Sequence, residues 1–190
     1  MTKTIIVLTQ GYADWECALL SAALRTYYGT EVLTASAGAA PVTSAGGFRV
    51  TPDLALETLD PNGFDLLVLN GGTAWQSENA PEIGALLKRA KNAGKPIAAI
   101  CAATRALASA GLLDAVPHTS NGAGFLEDAE GYAGKAQYRD QPDAVSAEGI
   151  ITASGMAPVS FMKKVCETLG FGGPELDFYA GLYGAEHKAA

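Results

Sequence analysis

Three cysteines are the residues of this 190-residue chain with the clearest capacity for covalent chemistry, and Cys101 has the most informative surroundings. It follows the apolar run at residues 97–100 and precedes Ala102 and Ala103. A strand that turns directly into a helix, with small residues around a cysteine, is typical of a nucleophile elbow, which leaves the side chain at a helix N-terminus. We predict that Cys101 is a nucleophilic thiol whose pKa the helix amides lower. The alternative is a buried cysteine that packs as a small apolar side chain.

Two adjacent glycines, Gly71 and Gly72, follow another predicted strand at residues 65–70. Backbone N–H groups that no side chain obstructs are what an oxyanion hole requires, and the N–H of Ala102 is a third candidate donor. Ligands of open parallel sheets bind beyond the carboxyl ends of the strands, where Cys101 is also expected. The alternative is that the glycine pair only permits a tight turn.

Glu16 lies at the start of the first predicted helix, residues 15–28. Asp14 is the candidate N-cap of that helix, which leaves Glu16 able to turn into the cleft. A partly buried carboxyl there would have a raised pKa and could hydrogen-bond to a thiolate. The alternative is a carboxylate that only interacts with the helix dipole. We predict a dyad of Cys101 and Glu16.

Three further side chains are candidates for the wall of a substrate pocket. Trp75 follows the glycine turn, whereas His118 and Asn121 belong to a short extended segment. These two are three residues apart, and an odd offset in extended backbone turns side chains to opposite faces. We therefore expect His118 to be structural or superficial rather than catalytic, and Asn121 to orient a substrate carbonyl or a water.

The remaining cysteines and the second histidine are predicted to lie outside the reaction centre. Cys17 points about 100° away from its helical neighbour Glu16, and Cys166 matches the apolar face of a later helix. His187, three residues from the C-terminus, is predicted to lie in the terminal tail. No pair of cysteines has the C-x-x-C spacing of a metal site, and the odd count argues against a disulfide framework.

Apolar runs alternate with helical patterns along the chain, which predicts an α/β fold with a mostly parallel sheet covered on both faces. Strands are predicted at residues 4–8, 31–35, 65–70, 96–100, 143–146 and 149–153, a hairpin at 41–54, and helices at 15–28, 81–93, 102–110, 157–169 and 174–183. No linker or repeat interrupts this order. We expect one domain over residues 1–190.

Composition restricts the partners of the protein. The net charge is −7 and no cluster of lysine and arginine offsets it, which opposes binding to nucleic acid or to anionic membranes. No apolar run has the length of a membrane span, and the N-terminal run is too short for a signal peptide. We expect a cytoplasmic protein that acts on a small molecule without metal or cofactor.

Together these segments resemble the ThiJ/PfpI superfamily, also called DJ-1-like, which is related to class I glutamine amidotransferases. The resemblance rests on Glu16, on the Gly71-Gly72 turn, on the Ile-Cys-Ala-Ala run at residues 100–103, and on residues 107–114. It implies a flavodoxin-like, three-layer α/β/α sandwich with a nucleophile elbow. It also implies a homodimer, in which a partner can complete the substrate pocket, and a link to stress response.

The sequence departs from the catalytic pattern of this superfamily at two positions. Its protease-like and glyoxalase-type members have a histidine directly after the cysteine or about twenty residues later, where this chain has Ala102 and Asn121. Amide hydrolysis needs an acid for the leaving amine, so peptide cleavage and glutamine amidotransfer are disfavoured.

The resemblance implies a cysteine-dependent enzyme with glyoxalase III-like, hydratase-like or amidase-like activity. The alternative is a redox or stress sensor in which Cys101 is oxidised to a sulfinic acid that Glu16 stabilises. A chaperone-like dimer is implied by the resemblance alone.

Overall fold

The computed structural model of the protein describes residues 1–185, so the prediction for His187 lies outside the described residues. Within that range the chain forms nine strands, which are β1 (Lys3–Val7), β2 (Glu31–Ser36), β3 (Val42–Thr43), β4 (Arg49–Val50), β5 (Leu54–Ala55), β6 (Leu66–Leu69), β7 (Ile97–Ile100), β8 (Val145–Ala147) and β9 (Ile150–Ala153). Seven of these strands form one sheet in the order β5-β2-β1-β6-β7-β9-β8. All neighbours are parallel except β8 and β9.

Five α-helices cover the sheet in the described part of the chain: α1 (Asp14–Ala22), α2 (Gly84–Asn92), α3 (Thr104–Ser109), α4 (Pro158–Thr168) and α5 (Pro174–Tyr183). One face of the sheet packs against α2 and α3 through Leu87 and Leu107, and the other packs against α1 and α4 through Leu20 and Phe161. This is the predicted three-layer α/β/α arrangement. None of the helices within residues 1–185 has the length and apolarity needed to cross a bilayer.

The central strands are apolar along their whole length because both of their faces are covered. Every residue of β6 and β7 is buried, as the continuous apolar runs predict. The chain visits β2 on one side of β1 and later β6 on the other side, so a topological switch point lies between β1 and β6. Ligands bind at such points in open α/β sheets.

The predicted hairpin at residues 41–54 is confirmed in part. Strands β3 and β4 form a separate antiparallel pair, as expected. Leu54, however, starts β5, which joins the main sheet parallel to β2. The short β5 therefore covers the edge of β2, which a hairpin alone would leave unpaired.

Candidate active site

Cys101 occupies the predicted nucleophile elbow between β7 and α3. Its φ is +60°, a left-handed conformation that non-glycine residues rarely adopt. Ala102 and Ala103 are buried beneath the turn, so larger side chains there would displace α3 or the sheet. The hydroxyl of Thr104 donates to the carbonyl of Cys101 at 2.6 Å and holds the turn closed. Strain of this kind costs of order 1–3 kcal/mol and concentrates at functional sites.

The structure places the carboxyl of Glu16 beside Cys101. The side chain of Glu16 enters from the first turn of α1 and is only 1% exposed. A Cβ added at Gly71 would collide with Oε2 of Glu16 and would lie 2.6 Å from Cβ of Cys101. A Cβ at Gly155 would lie 2.7 Å from Oε1 of Glu16 and 2.9 Å from Sγ of Cys101. Two glycines therefore provide the space in which carboxyl and thiol meet.

The predicted N-cap role of Asp14 is wrong. Residue Ala13 occupies the cap position of α1 and has no side-chain hydrogen bond to offer. The carboxylate of Asp14 instead accepts the backbone N–H of Gly46 at 2.7 Å, in the turn between β3 and β4. Asp14 thus ties the hairpin to the start of the helix that carries Glu16.

Burial raises the pKa of Glu16 from 4.5 to about 7. Hydrogen bonding to the Cys101 thiol and to the backbone N–H of Gly71 lowers this pKa in part. Within residues 1–185, Oε2 of Glu16 nevertheless has no hydrogen bond of regular geometry. A carboxyl with a pKa near neutrality can accept and return a proton at physiological pH.

The expectation that the helix lowers the pKa of Cys101 is wrong. Burial raises the pKa of this thiol, and the neighbouring Glu16 carboxylate raises it further. The amide of Asn121 and the backbone N–H of Ala102 lower it without reversing the direction. Helix α3 has only six residues and begins three residues after the thiol, so its dipole is a weak influence. Burial and the Glu16 carboxylate therefore both favour the protonated thiol of Cys101.

Asn121 holds the thiol from the solvent side. Its Nδ2 donates to Sγ of Cys101 at 3.3 Å, and its Oδ1 accepts the N–H of Gly155 at 3.0 Å. The carbonyl of Gly155 in turn accepts the indole N–H of Trp15 at 3.3 Å. Sequence reasoning missed Gly155 and Trp15. The available signal was that Gly155 closely follows β9, a strand whose carboxyl end could reach the elbow.

The Gly71-Gly72 turn packs against residues 11–13. The carbonyl of Gly71 accepts the N–H of Ala13 at 3.0 Å, while the N–H of Gly71 donates to the carboxyl of Glu16 and lowers its pKa. A Cβ at Gly72 would lie 3.0 Å from Cα of Tyr12, and its φ of +154° is one that other residues rarely adopt. The N–H of Ala102 lies at the thiol, where it lowers the pKa of Cys101.

The structure does not bring His118 to the thiol, so its expected place in the pocket is corrected. The imidazole of His118 is fully buried. Its Nδ1 bonds to the carbonyl of Val116 at 2.7 Å and its Nε2 to the hydroxyl of Tyr132 at 2.8 Å. Burial lowers the pKa of His118. With both ring nitrogens occupied, the side chain is structural.

Trp75 is also displaced from its expected role. It is buried, and its indole N–H donates to the carbonyl of Asn70 at 2.8 Å. One edge of Trp75 lines a cavity between α2 and α3 that includes Arg105 but not Cys101. Its main role is therefore in the core of the α2/α3 face.

Cys17 and Cys166 have structural surroundings, as predicted. The thiol of Cys17 faces the carbonyl of Asp14, and Cys166 is fully buried. Burial raises the pKa of each to about 12, so neither forms a thiolate near neutral pH. Within residues 1–185, no three histidine, cysteine or acidic side chains come together as metal ligands.

The family model for the DJ-1/PfpI family matches residues 2–168. The chain belongs to the DJ-1/PfpI family. Among solved structures, the DJ-1 superfamily protein Atu0886 from Agrobacterium tumefaciens is 45% identical, with a TM-score of 0.96 over 99% of this chain and 100% of that one. The resemblance to the ThiJ/PfpI superfamily and the predicted fold class are thereby confirmed.

Curated relatives of this DJ-1/PfpI chain have names that state an activity, and two of them cover most of the chain. The uncharacterized protease YdeA of Bacillus subtilis is 34% identical over 98% of this chain and 94% of its own length. The glutathione-independent glyoxalase DJR-1.2 of Caenorhabditis elegans is 32% identical over 77% of this chain and 76% of its own. These names support enzymatic activity in general.

Proposed function

We propose that this protein is a cysteine-dependent enzyme that converts a small reactive aldehyde, in the manner of a glutathione-independent glyoxalase acting on a 2-oxoaldehyde. One observation carries the proposal: a buried carboxyl with a pKa of about 7, Glu16, lies beside the elbow thiol of Cys101. The glyoxalase name of one relative supports the substrate class.

The first step is addition of the thiol to the aldehyde carbon. Sγ of Cys101 forms a bond to carbon, the carbonyl π electrons move to oxygen, and the thiol proton passes to Glu16. The N–H groups of Gly72 and Ala102 are the proposed donors to the oxygen anion. Protonation of that oxygen gives a hemithioacetal and restores the Glu16 carboxylate.

The second step moves hydrogen within the bound substrate. Glu16 removes the proton from the former aldehyde carbon, and the electron pair of that C–H bond moves through an enediolate to the ketone oxygen. The hemithioacetal hydroxyl gives its proton to that oxygen, and Glu16 returns its own proton to the adjacent carbon, which yields the thioester of a 2-hydroxy acid. Water then cleaves the thioester, releases the acid and restores the thiol. The aldehyde carbon is oxidised while its neighbour is reduced, so no external oxidant is required.

The same geometry disfavours peptide and amide cleavage. A leaving amine must receive a proton in the step that expels it, and a histidine serves this role in cysteine hydrolases. His118 is buried with both ring nitrogens occupied, and Asn121 has no proton to transfer. Aldehyde conversion needs a single group that accepts and returns a proton, which Glu16 supplies.

Product analysis with methylglyoxal tests the proposal. We expect the protein to form lactate, detectable by NMR, and Cys101→Ser to form none. Glu16→Gln should reduce kcat by about 100-fold or more, a typical loss for a proton-transfer group. Cys17→Ser is the matched control, because that thiol lies outside the site. Turnover of simple amides or isocyanides in place of methylglyoxal would refute the substrate class and leave the thiol chemistry standing. Full activity in Cys101→Ser would refute the proposal.

Redox sensing through Cys101 is the second candidate. The Glu16 carboxyl beside the sulfur favours a sulfinic acid product, since a protonated carboxyl could donate to it. The raised pKa of the thiol argues against redox sensing, because the thiolate is the form that reacts with peroxide. Addition of two oxygens to Cys101 by mild peroxide, without turnover of any substrate above, would favour the sensor.

The homodimer and the cytoplasmic location remain predictions. Light scattering coupled to size-exclusion chromatography would decide the first, and fractionation of cells the second.

A further inference from the structure

Resting on the proposed function, we infer that Trp15 is a specificity-determining residue that selects aldehydes carrying an uncharged, apolar substituent, with aromatic 2-oxoaldehydes as the preferred class. The inference concerns the solvent side of the reaction centre, where the substituent of a substrate bound to Cys101 must lie.

Trp15 reaches this position through a short series of contacts. Gly155 lies so close to the thiol that a Cβ on it would come 2.9 Å from Sγ of Cys101. The carbonyl of Gly155 accepts the indole N–H of Trp15 at 3.3 Å. The N–H of Gly155 is held by Asn121, which also contacts the sulfur. Gly155 therefore contacts both the indole of Trp15 and the surroundings of the thiol.

Two large apolar side chains next to Gly155 are exposed to solvent. Trp15 is 56% exposed although its indole N–H is bonded, and Met156, next to Gly155, is 89% exposed. Trp15 contacts Gly155 and Met156 follows it in the chain, so both lie near one glycine, and neighbouring exposed apolar groups are typical of a binding surface. An indole whose N–H is already satisfied presents its apolar faces, which suits stacking against a flat ring.

Charge at the site points to an uncharged substituent. Within residues 1–185, no lysine or arginine forms a hydrogen bond or ion pair with Glu16, Cys101, Asn121, Gly155 or Trp15. A phosphate or carboxylate on the substrate would approach a protein of net charge −7 without an ion pair already formed at these residues to attract it. The site therefore favours substituents that bind by apolar contact.

Competition between two 2-oxoaldehydes tests the inference. We expect kcat/KM for phenylglyoxal over that for methylglyoxal to fall about tenfold or more in Trp15→Ala, since an apolar contact typically discriminates 10- to 200-fold. Trp15→Phe keeps a ring and should restore most of the ratio. Phe178→Ala is the matched control, because Phe178 is 65% exposed on α5 and makes an edge-to-face contact with Tyr179. An equal loss for both substrates, or no change in the ratio, would overturn the inference.

Alkylation of the thiol separates this inference from the proposed function. The rates at which iodoacetamide and N-benzyl iodoacetamide modify Cys101, followed by peptide mass spectrometry, need no turnover. We expect the preference for the benzyl reagent to be lost in Trp15→Ala. If Trp15→Ala loses that preference while the wild type converts no 2-oxoaldehyde, the proposed function is refuted and the role of Trp15 in binding apolar substituents stands. If the wild type converts both aldehydes but Trp15→Ala keeps the preference for the benzyl reagent, only the role of Trp15 is refuted. If Trp15→Ala changes the mass of the assembly in solution and slows alkylation by both reagents equally, Trp15 belongs to an interface between two copies of the chain. That result would overturn the inference.

Discussion

Replacement of Glu16 by glutamine should stabilise the protein at alkaline pH although it damages the site. The pKa of Glu16 rises from 4.5 to about 7 because the carboxyl is buried. At about 1.4 kcal/mol per pKa unit, ionising this group in the folded state costs roughly 3 kcal/mol of folding free energy. Glutamine has a similar shape and no charge to bury.

The sign of the effect follows from the two protonation states. Below pH 4.5 the carboxyl is protonated in both the folded and the unfolded chain, so it makes no difference to stability. Between pH 4.5 and 7 the unfolded chain loses its proton first, and the wild-type protein becomes less stable relative to Glu16→Gln as the pH rises. Above pH 7 the full difference of about 3 kcal/mol is expected.

Urea unfolding followed by circular dichroism measures this difference at pH 4.5, 6 and 8. The gain in Glu16→Gln should grow across this range and level off above pH 7. Glu78→Gln removes an exposed carboxyl and is the matched control, for which we expect no growth with pH. A gain that is flat with pH, or that shrinks as the pH rises, would refute both the raised pKa of Glu16 and its use as a proton acceptor near neutrality.

Three further outcomes are expected. Gly155→Ala should lower kcat/KM by about 100-fold or more, because its Cβ would displace the carboxyl of Glu16 and the thiol of Cys101. Gly84→Ala, at a position with open space around it, should keep wild-type kinetics. Equal kinetics in the two variants would refute the close packing of Gly155 against the thiol. His118→Gln should lower Tm, since it breaks two buried hydrogen bonds, but should keep kcat/KM within about threefold; a larger loss would restore His118 to the mechanism. The kcat/KM of the wild type should rise with pH to a plateau with a midpoint near 7, as Glu16 ionises, and a profile that rises only above pH 9 would contradict proton transfer to Glu16.

The amino-acid sequence by itself determined the fold class and the two central residues of the site. Continuous apolar runs predict strands that are covered on both faces, and β6 and β7 are buried at every residue. Small residues around Cys101 predict a sharp turn, and the left-handed φ of +60° at Cys101 shows that the backbone turns there. Glu16 was predictable because it begins the helix after β1, and the carboxyl ends of neighbouring parallel strands share one edge of the sheet.

Tertiary structure alone decided which other side chains surround the thiol. Gly155 reaches it because β9 pairs with β7, a contact between segments that are distant along the chain. Trp75, the tryptophan expected at the pocket, packs into the core, while Trp15, for which the sequence predicted no role, stays at the surface beside Gly155. Local patterns carry no information about such long-range pairing.

The direction of the thiol pKa was also a property of the assembled site. A helix start after Cys101 predicts a lowered pKa, but the pKa depends on the whole environment of the sulfur rather than on one element. Folding removes water from the thiol and places the Glu16 carboxyl beside it, and both effects disfavour the thiolate. The sequence thus predicted the two residues of the candidate site, whereas burial and mutual contact in the folded chain determined that the pKa of each is raised.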